Sequence, residues 1–212
     1  MLFSEEDKAM FENGKLLPLI EDFYTIQGEG YHMGKAAYFI RLGGCDIGCS
    51  WCDTKFSWRQ DLHRLTRADE IVLKAANYPA KAVVITGGEP LIYPLDYLTA
   101  SLKNEGIATF LETSGAYELS GDWDWICLSP KKHMPPLRGI YSLARELKVI
   151  IQQADDIDWA IQVSGEVSHE CKLYLQPEWS KHNEILPVII DYVKKNPSWN
   201  ISLQAHKFMN IP

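Results

Sequence analysis

At 212 residues, 46% hydrophobic and 23% charged, the chain has the length of one domain with a sizeable core and the composition of an ordinary globular protein. A net charge of −7 argues against a nucleic-acid binder, which carries a basic face, and no apolar run is long enough to cross a bilayer. The acidic opening MLFSEEDKAMFENGKLL has no apolar stretch of the kind a signal peptide needs, and the expectation is a cytoplasmic protein.

Residues 1–17 read as an N-terminal extension, and residues 18–212 as the compact remainder of a single domain covering 1–212. The first strand predicted along the chain is AAYFIRLGG (36–44). TRADEIVLKAAN (66–77) follows as a helix, with Thr66 as N-cap, Asp69 three residues on as in a capping box, and Ala68, Ile71, Val72 and Ala75 on one face. KAVVITGGEP (81–90) is the next strand, and PLDYLTASLKNEG (94–106) a helix that opens on proline and closes on glycine. IATFLETSG (107–115), DWICLSPK (124–131), ELKVIIQ (146–152) and CKLYLQP (171–177) are further strands. SKHNEILPVIIDYVKKN (180–196) has a helical pattern in which Pro187 calls for a late start or a kink, and NISLQAHK (200–207) is the last strand-like run.

The strand runs are short, continuously apolar and rich in β-branched or aromatic residues, as strands covered on both faces are. Their alternation with helices predicts an α/β fold with a parallel sheet, either open or a partial barrel. In such folds the site lies at the carboxyl ends of the strands. There stand the cysteine loop, Thr86 to Glu89, Glu112 to Ser114, Ser129 to Lys131, Gln176, and Gln204 with His206. A core needs none of these polar groups, so they predict one large site built from nearly every strand.

LGGCDIGCSWCDT (42–54) holds Cys45, Cys49 and Cys52 within eight positions. Thiolates in one loop can serve a single metal centre. Zinc would need a fourth ligand from Cys127, Cys171, a histidine or water, and no second pair at finger spacing follows. The alternative is a [4Fe–4S] cluster held by three cysteines, which leaves one iron open to a small molecule. Five cysteines, three of them clustered, do not make a disulfide framework, and Cys127 and Cys171 read as small buried hydrophobes. His32, His63, His133, His169 and His182 lack partner spacing and read as surface or loop residues, and Trp123, Trp125, Trp159, Trp179 and Trp199 as core or interface area.

CDIGCSWC has the CxxxCxxC spacing of the radical S-adenosylmethionine superfamily, with Trp51 just before the last cysteine, and TGGEP (86–90) resembles that superfamily's glycine-rich segment. Within it, YTIQGEGYHMGKAAYFIRLGGC (24–45), CSWCDT (49–54), ETSG (112–115), SPK (129–131), LQP (175–177) and QAHK (204–207) resemble the 7-carboxy-7-deazaguanine synthase family of queuosine biosynthesis, from about residue 20 to the end. The resemblance implies an incomplete (β/α)6, partial TIM-like barrel of mostly parallel strands, six in the main arc with NISLQ added at its edge.

It also implies a lyase that uses a [4Fe–4S] cluster, S-adenosylmethionine as a catalytic cofactor and Mg2+. The reaction converts 6-carboxy-5,6,7,8-tetrahydropterin to 7-carboxy-7-deazaguanine by hydrogen abstraction, ring contraction and loss of ammonia, the radical chemistry being carried by the cofactor. By the same resemblance Cys45, Cys49 and Cys52 hold the cluster. Thr54, in preference to Asp53, holds magnesium. Ile26, Gln27, Gly28, Glu29, Arg41, Thr86, Glu112, His206 and the carboxylate of Pro212 meet the substrate. Gly88, Glu89, Ser114, Ser129, Pro130, Lys131, Gln176 and Pro177 line the S-adenosylmethionine pocket. The implied partners are an electron donor such as flavodoxin or ferredoxin and a second copy in a homodimer, with no nucleic acid or membrane. Two other readings stand beside this one. One is a radical enzyme that activates a glycyl-radical partner, which would need a broad docking surface. The other is a non-catalytic metal module, which would tolerate replacement of Glu89 or Arg41.

Overall fold

The computed structural model describes residues 4–212. The short helix α1 (Glu5–Glu12) is capped by Ser4, whose hydroxyl accepts from the Asp7 backbone N–H at 3.0 Å, and Phe11 lays its ring edge-on to Tyr93. The sheet begins with β1 (Leu16–Ile26), which pairs antiparallel with β2 (Ala36–Leu42) and, on its other side, with β3 (Arg64–Arg67). Helix α2 (Ala68–Ala76) leads to β4 (Ala82–Gly87), and α3 (Asp96–Asn104) to β5 (Ala108–Thr113). Then come β6 (Trp125–Leu128), α4 (Arg138–Tyr141), β7 (Glu146–Ile151), α5 (Asp156–Ser164), β8 (Lys172–Pro177), α6 (His182–Lys195), β9 (Trp199–Ile201) and α7 (Ala205–Met209).

The order across the sheet is β3-β1-β2-β4-β5-β6-β7-β8-β9, and every pair from β2 to β9 is parallel. Spatial order therefore follows chain order. That is the winding of a barrel, whereas a doubly wound sheet reverses at a switch point. Ile40, Ile85, Leu111, Leu128, Leu147, Val149 and Leu175 are sealed in the main core, which also takes Ala68, Ile71, Val72 and Ala75 of α2 and Leu98 and Leu102 of α3. The other face holds only a small apolar cluster of Ala37, Phe39 and Val84 with Phe23 and Phe110 against it. Toward the carboxyl ends of the strands that face turns polar.

The seven parallel strands are those the sequence predicts, with β9 at the edge of the arc. Two antiparallel strands were not foreseen. β1 starts at Leu16, and Leu17 is fully buried, so residues 16 and 17 belong to the sheet and not to an extension. The predicted capping box at Thr66 does not form. Thr66 lies in β3 opposite Leu17, and α2 begins two residues later behind Arg67, which makes no side-chain cap. Pairing along β3 claims the backbone that the cap would have bent. α6 starts late, at His182, and runs through Pro187.

The arc does not close strand to strand, since β3 and β9 remain its edges. The loop 27–35 spans the opening. The Gly30 N–H donates to Ser202 Oγ at 3.0 Å, and the Ala205 N–H to the Gly28 carbonyl at 2.9 Å.

Candidate active site

A cavity of about 300 Å³ opens at the carboxyl ends of the parallel strands. Its first wall is the cysteine loop, which is pinned where it leaves β2. The Gly44 and Cys45 N–H groups donate to the Ser57 and Trp58 carbonyls at 2.7 and 3.1 Å, and Tyr93 donates its hydroxyl to the Gly43 carbonyl at 2.6 Å. The end of β4 is pressed against it: the Gly88 N–H donates to the Leu42 carbonyl and the Glu89 N–H to the Gly44 carbonyl, both at 2.9 Å. A Cβ on Gly88 would stand 2.1 Å from that Gly44 oxygen and 2.8 Å from the Cys45 Cβ, so only glycine permits this approach.

Cys45, Cys49 and Cys52 are all free thiols on the cavity wall. Burial pushes the Cys45 and Cys49 thiols up, so holding them as thiolates calls for the positive charge of a metal centre. Three thiolates without a fourth protein ligand suit a [4Fe–4S] centre, in which each thiolate binds a different iron, better than a four-coordinate structural zinc. Lys131 lies behind, its ammonium 5.6 Å from the Trp51 ring centroid and 2.9 Å from the Ser129 hydroxyl, with burial pulling its pKa down. Thr54 Oγ1 is 3.5 Å from Cys52 Sγ.

The second wall is a carboxylate strut. Glu89 is only 2% exposed, and both its oxygens are engaged. Oε1 accepts from Thr113 Oγ1 at 2.6 Å and the Leu91 N–H at 3.1 Å; Oε2 accepts from the Ser114 N–H at 2.8 Å and hydroxyl at 2.5 Å. This strut ties the end of β4 to the end of β5 and leaves neither carboxylate oxygen without a protein partner.

The third wall is charged. Lys148, from the middle of β7, donates to Glu29 Oε2 at 2.7 Å and to Glu112 Oε2 at 2.9 Å. Gln204 donates to Glu29 Oε1 at 3.0 Å, and Gln27 to Glu112 Oε1 at 3.4 Å. Burial alone would raise the Glu29 pKa, but the Lys148 and Gln204 donors outweigh it and hold the carboxyl below its usual range. Arg41 donates Nε to Glu21 at 2.7 Å, which leaves both terminal nitrogens without a protein partner among the described residues. His206, its pKa lowered by burial, packs on Gly28, where a Cβ would come within 2.4 Å of its Nδ1. Gln176 accepts from the Ser202 hydroxyl at 2.6 Å.

The structure brings nearly all the sequence-predicted residues onto this cavity: the three cysteines, Thr54, Ile26 to Glu29, Arg41, Thr86, Gly88, Glu89, Glu112, Ser114, Ser129, Lys131, Gln176, Pro177, His206 and Pro212. Pro130 is the exception; it is buried and is not among the residues lining the cavity, although Ser129 and Lys131 on either side are. Lys148, Ile150, Phe39 and Trp179 line the cavity without having been singled out as site residues. Lys148 carried a signal, a charge inside the apolar run ELKVIIQ. Trp179, read as core or interface area, carried none, and it stacks on His182.

Comparison with known proteins gives a consistent picture. The Radical SAM superfamily model matches residues 39–124. A 7-carboxy-7-deazaguanine synthase from Flavobacterium psychrophilum is 52% identical over 100% of both chains, and one from Synechocystis is 46% identical over 92% of this chain and 93% of its own. The crystal structure of QueE from Escherichia coli superposes with a TM-score of 0.81 at 30% identity, covering 96% of this chain and 100% of that one.

Proposed function

This chain belongs to the 7-carboxy-7-deazaguanine synthase family of radical S-adenosylmethionine enzymes, and from that premise we propose that its cavity converts 6-carboxy-5,6,7,8-tetrahydropterin to 7-carboxy-7-deazaguanine with loss of ammonia. That membership replaces the two other readings left open by the motifs, the glycyl-radical activator and the metal-binding module. One observation carries the substrate reading: the three thiols and the wall of Glu29, Arg41 and Glu112 line the same cavity.

The cluster and S-adenosylmethionine, when bound, supply the 5′-deoxyadenosyl radical that abstracts hydrogen. The chain's own residues do the rest by binding and orienting. Cys45, Cys49 and Cys52 hold the cluster. Gly88 brings the backbone of β4 close to the cofactor, with Glu89 and Ser114 as the strut behind it and Ser129, Lys131, Gln176 and Pro177 around it. Arg41, held by Glu21 through Nε alone, offers its terminal N–H pair to the substrate carboxylate. Gln27, Glu29 and Glu112 face the pterin's polar edge, and Ile26, Gly28, Thr86, His206 and Pro212 enclose it. For magnesium the choice falls on Thr54, because Asp53 Oδ2 is already taken by Lys207 at 2.9 Å and Gln204 at 3.1 Å. A single hydroxyl with substrate and water completing the shell agrees with magnesium's habit of keeping waters. We further assign residues 1–212 to a single domain, a homodimeric state in the cytoplasm, and reduction by a flavodoxin or ferredoxin. No helix among the described residues is long and apolar enough to cross a membrane.

The test is anaerobic: reconstitute the cluster, add S-adenosylmethionine, reductant, magnesium and the carboxypterin, and follow products by mass. The expected result is 7-carboxy-7-deazaguanine without matching loss of S-adenosylmethionine. Accumulation of 5′-deoxyadenosine with no deazapurine overturns the substrate. Arg41→Ala is expected to keep iron content and S-adenosylmethionine binding while losing about 1.5–3 kcal/mol of substrate binding.

A further inference from the structure

Lys148 is 4% exposed and sits where three carboxylates meet. Glu29 approaches from loop 27–35, Glu112 from β5, and Glu146 stands two residues earlier on its own strand. Cys127 of β6 also faces it, and Lys131 and His206 lie within electrostatic reach. Burial would strip the ammonium of its proton, but the surrounding anionic groups reverse that and raise its pKa well above the ordinary lysine value. A buried ion pair is weak evidence of stability, since desolvation offsets most of the attraction. What the arrangement does determine is proton placement. Two carboxylates bonded to one ammonium can both stay ionised. Without it, like charges this close in a desolvated wall force one of them to take a proton. An ionised carboxylate only accepts hydrogen bonds, whereas a protonated one also donates.

We propose that Lys148 is a positioning residue for substrate recognition, holding Glu29 and Glu112 together as a pair of acceptors matched to the amino and ring N–H donors of the pterin edge. The inference rests on the pterin reading of the cavity. It makes Lys148 a determinant of specificity that touches the substrate only through the two carboxylates it holds. Gln27 and Gln204 each donate to one oxygen of a carboxylate whose other oxygen accepts from Lys148, which fixes the rotation of both groups on the cavity wall.

The experiment is calorimetric titration of 6-carboxy-tetrahydropterin into anaerobically reconstituted holoenzyme with S-adenosylmethionine and no reductant, from ~pH 6 to ~pH 9. Wild type sets the reference profile, which carries the titration of Glu146 and His206 beside the wall. Lys148→Met is expected to lose roughly tenfold or more relative to wild type near neutral pH, and to fall further behind it as pH drops, with iron content and S-adenosylmethionine binding unchanged. Because that variant leaves two carboxylates facing each other and can fail to fold, a second one, Lys148→Met with Glu112→Gln, removes one negative charge along with the positive one. It is expected to fold and still bind weakly, but without the pH dependence that Lys148→Met adds to the wild-type profile. Binding as tight as wild type in either folded variant, or a loss in Lys148→Met that is the same at every pH, overturns the proposal alone. A wild type that binds no pterin overturns the functional reading and the proposal with it.

Discussion

At the scale of single residues, Glu146 is the least comfortable group in the molecule. Its Oε2 accepts from the Trp125 indole N–H at 3.0 Å and the Tyr31 N–H at 3.3 Å, while Oε1 is buried without a partner. The loop passes so close that a Cβ on Gly30, whose φ is +63°, would lie 1.9 Å from that oxygen. Burial, and then the charge of Glu112, push the Glu146 carboxyl up to about 7 against the pull of Lys148. An acid whose folded pKa is raised stabilises the fold fully only below its unfolded pKa, and that contribution is lost as pH rises to the folded value. The window therefore runs from the ordinary glutamate value of 4.5 to about 7. Glu146→Gln should remove the decline, leaving the variant more stable than wild type at pH ~8 by up to about 3 kcal/mol, as read from urea unfolding at both ends of the window. Parallel stability curves for the two proteins would refute this.

At the scale of elements, the junction between the ends of β2 and β4 decides whether the cysteine loop can sit where it does. Gly88→Ala places a methyl group against the Gly44 carbonyl, and the obstacle is backbone, which cannot swing aside as a side chain can. The expected outcome is a folded protein with iron occupancy after reconstitution reduced by roughly half or more and S-adenosylmethionine binding lost, since overpacking costs about 1–3 kcal/mol locally. Full iron content would show that the loop yields. The parallel strands were legible because each is a continuous apolar run, and their polar ends marked the site. β1 was not, because LLPLIEDFYTI mixes Pro18, Glu21 and Asp22 into a half-exposed strand, and β3 was not, because RLTR has no apolar periodicity to read. Lys148 escaped for a related reason. Whether a lysine inside an apolar run faces helices or cavity depends on strand register, which becomes fixed only when β7 pairs with β8, Lys148 opposite Tyr174.

At the scale of the whole molecule, the open arc is closed by side chains instead of strands. Gln204 bonds both Glu29 and Asp53, so the segment after β9 joins loop 27–35 to the cysteine loop. Lys207 reinforces the link. Its ammonium donates to Asp53 Oδ2 at 2.9 Å and Gln204 Oε1 at 3.0 Å, and lies 4.6 Å from the centroid of the Trp179 ring. The Trp179 ring in turn meets Phe208 edge-on, so α7 is held from two sides. These bonds tie α7 to Asp53 of the cysteine loop and, through Gln204, to Glu29 on the proposed substrate wall. Lys207→Met keeps most of the packing volume but removes two charge-assisted donors, a loss on the order of 1.5–3 kcal/mol at the closure. The cluster should still assemble to full iron content, since no cysteine contact is touched. Two other quantities should change together: bleaching of the cluster in air becomes faster, and the carboxypterin binds more weakly, by roughly tenfold. Faster bleaching with unchanged substrate affinity would mean that α7 shields the cluster without organising the substrate wall, and the coupling described here would be wrong.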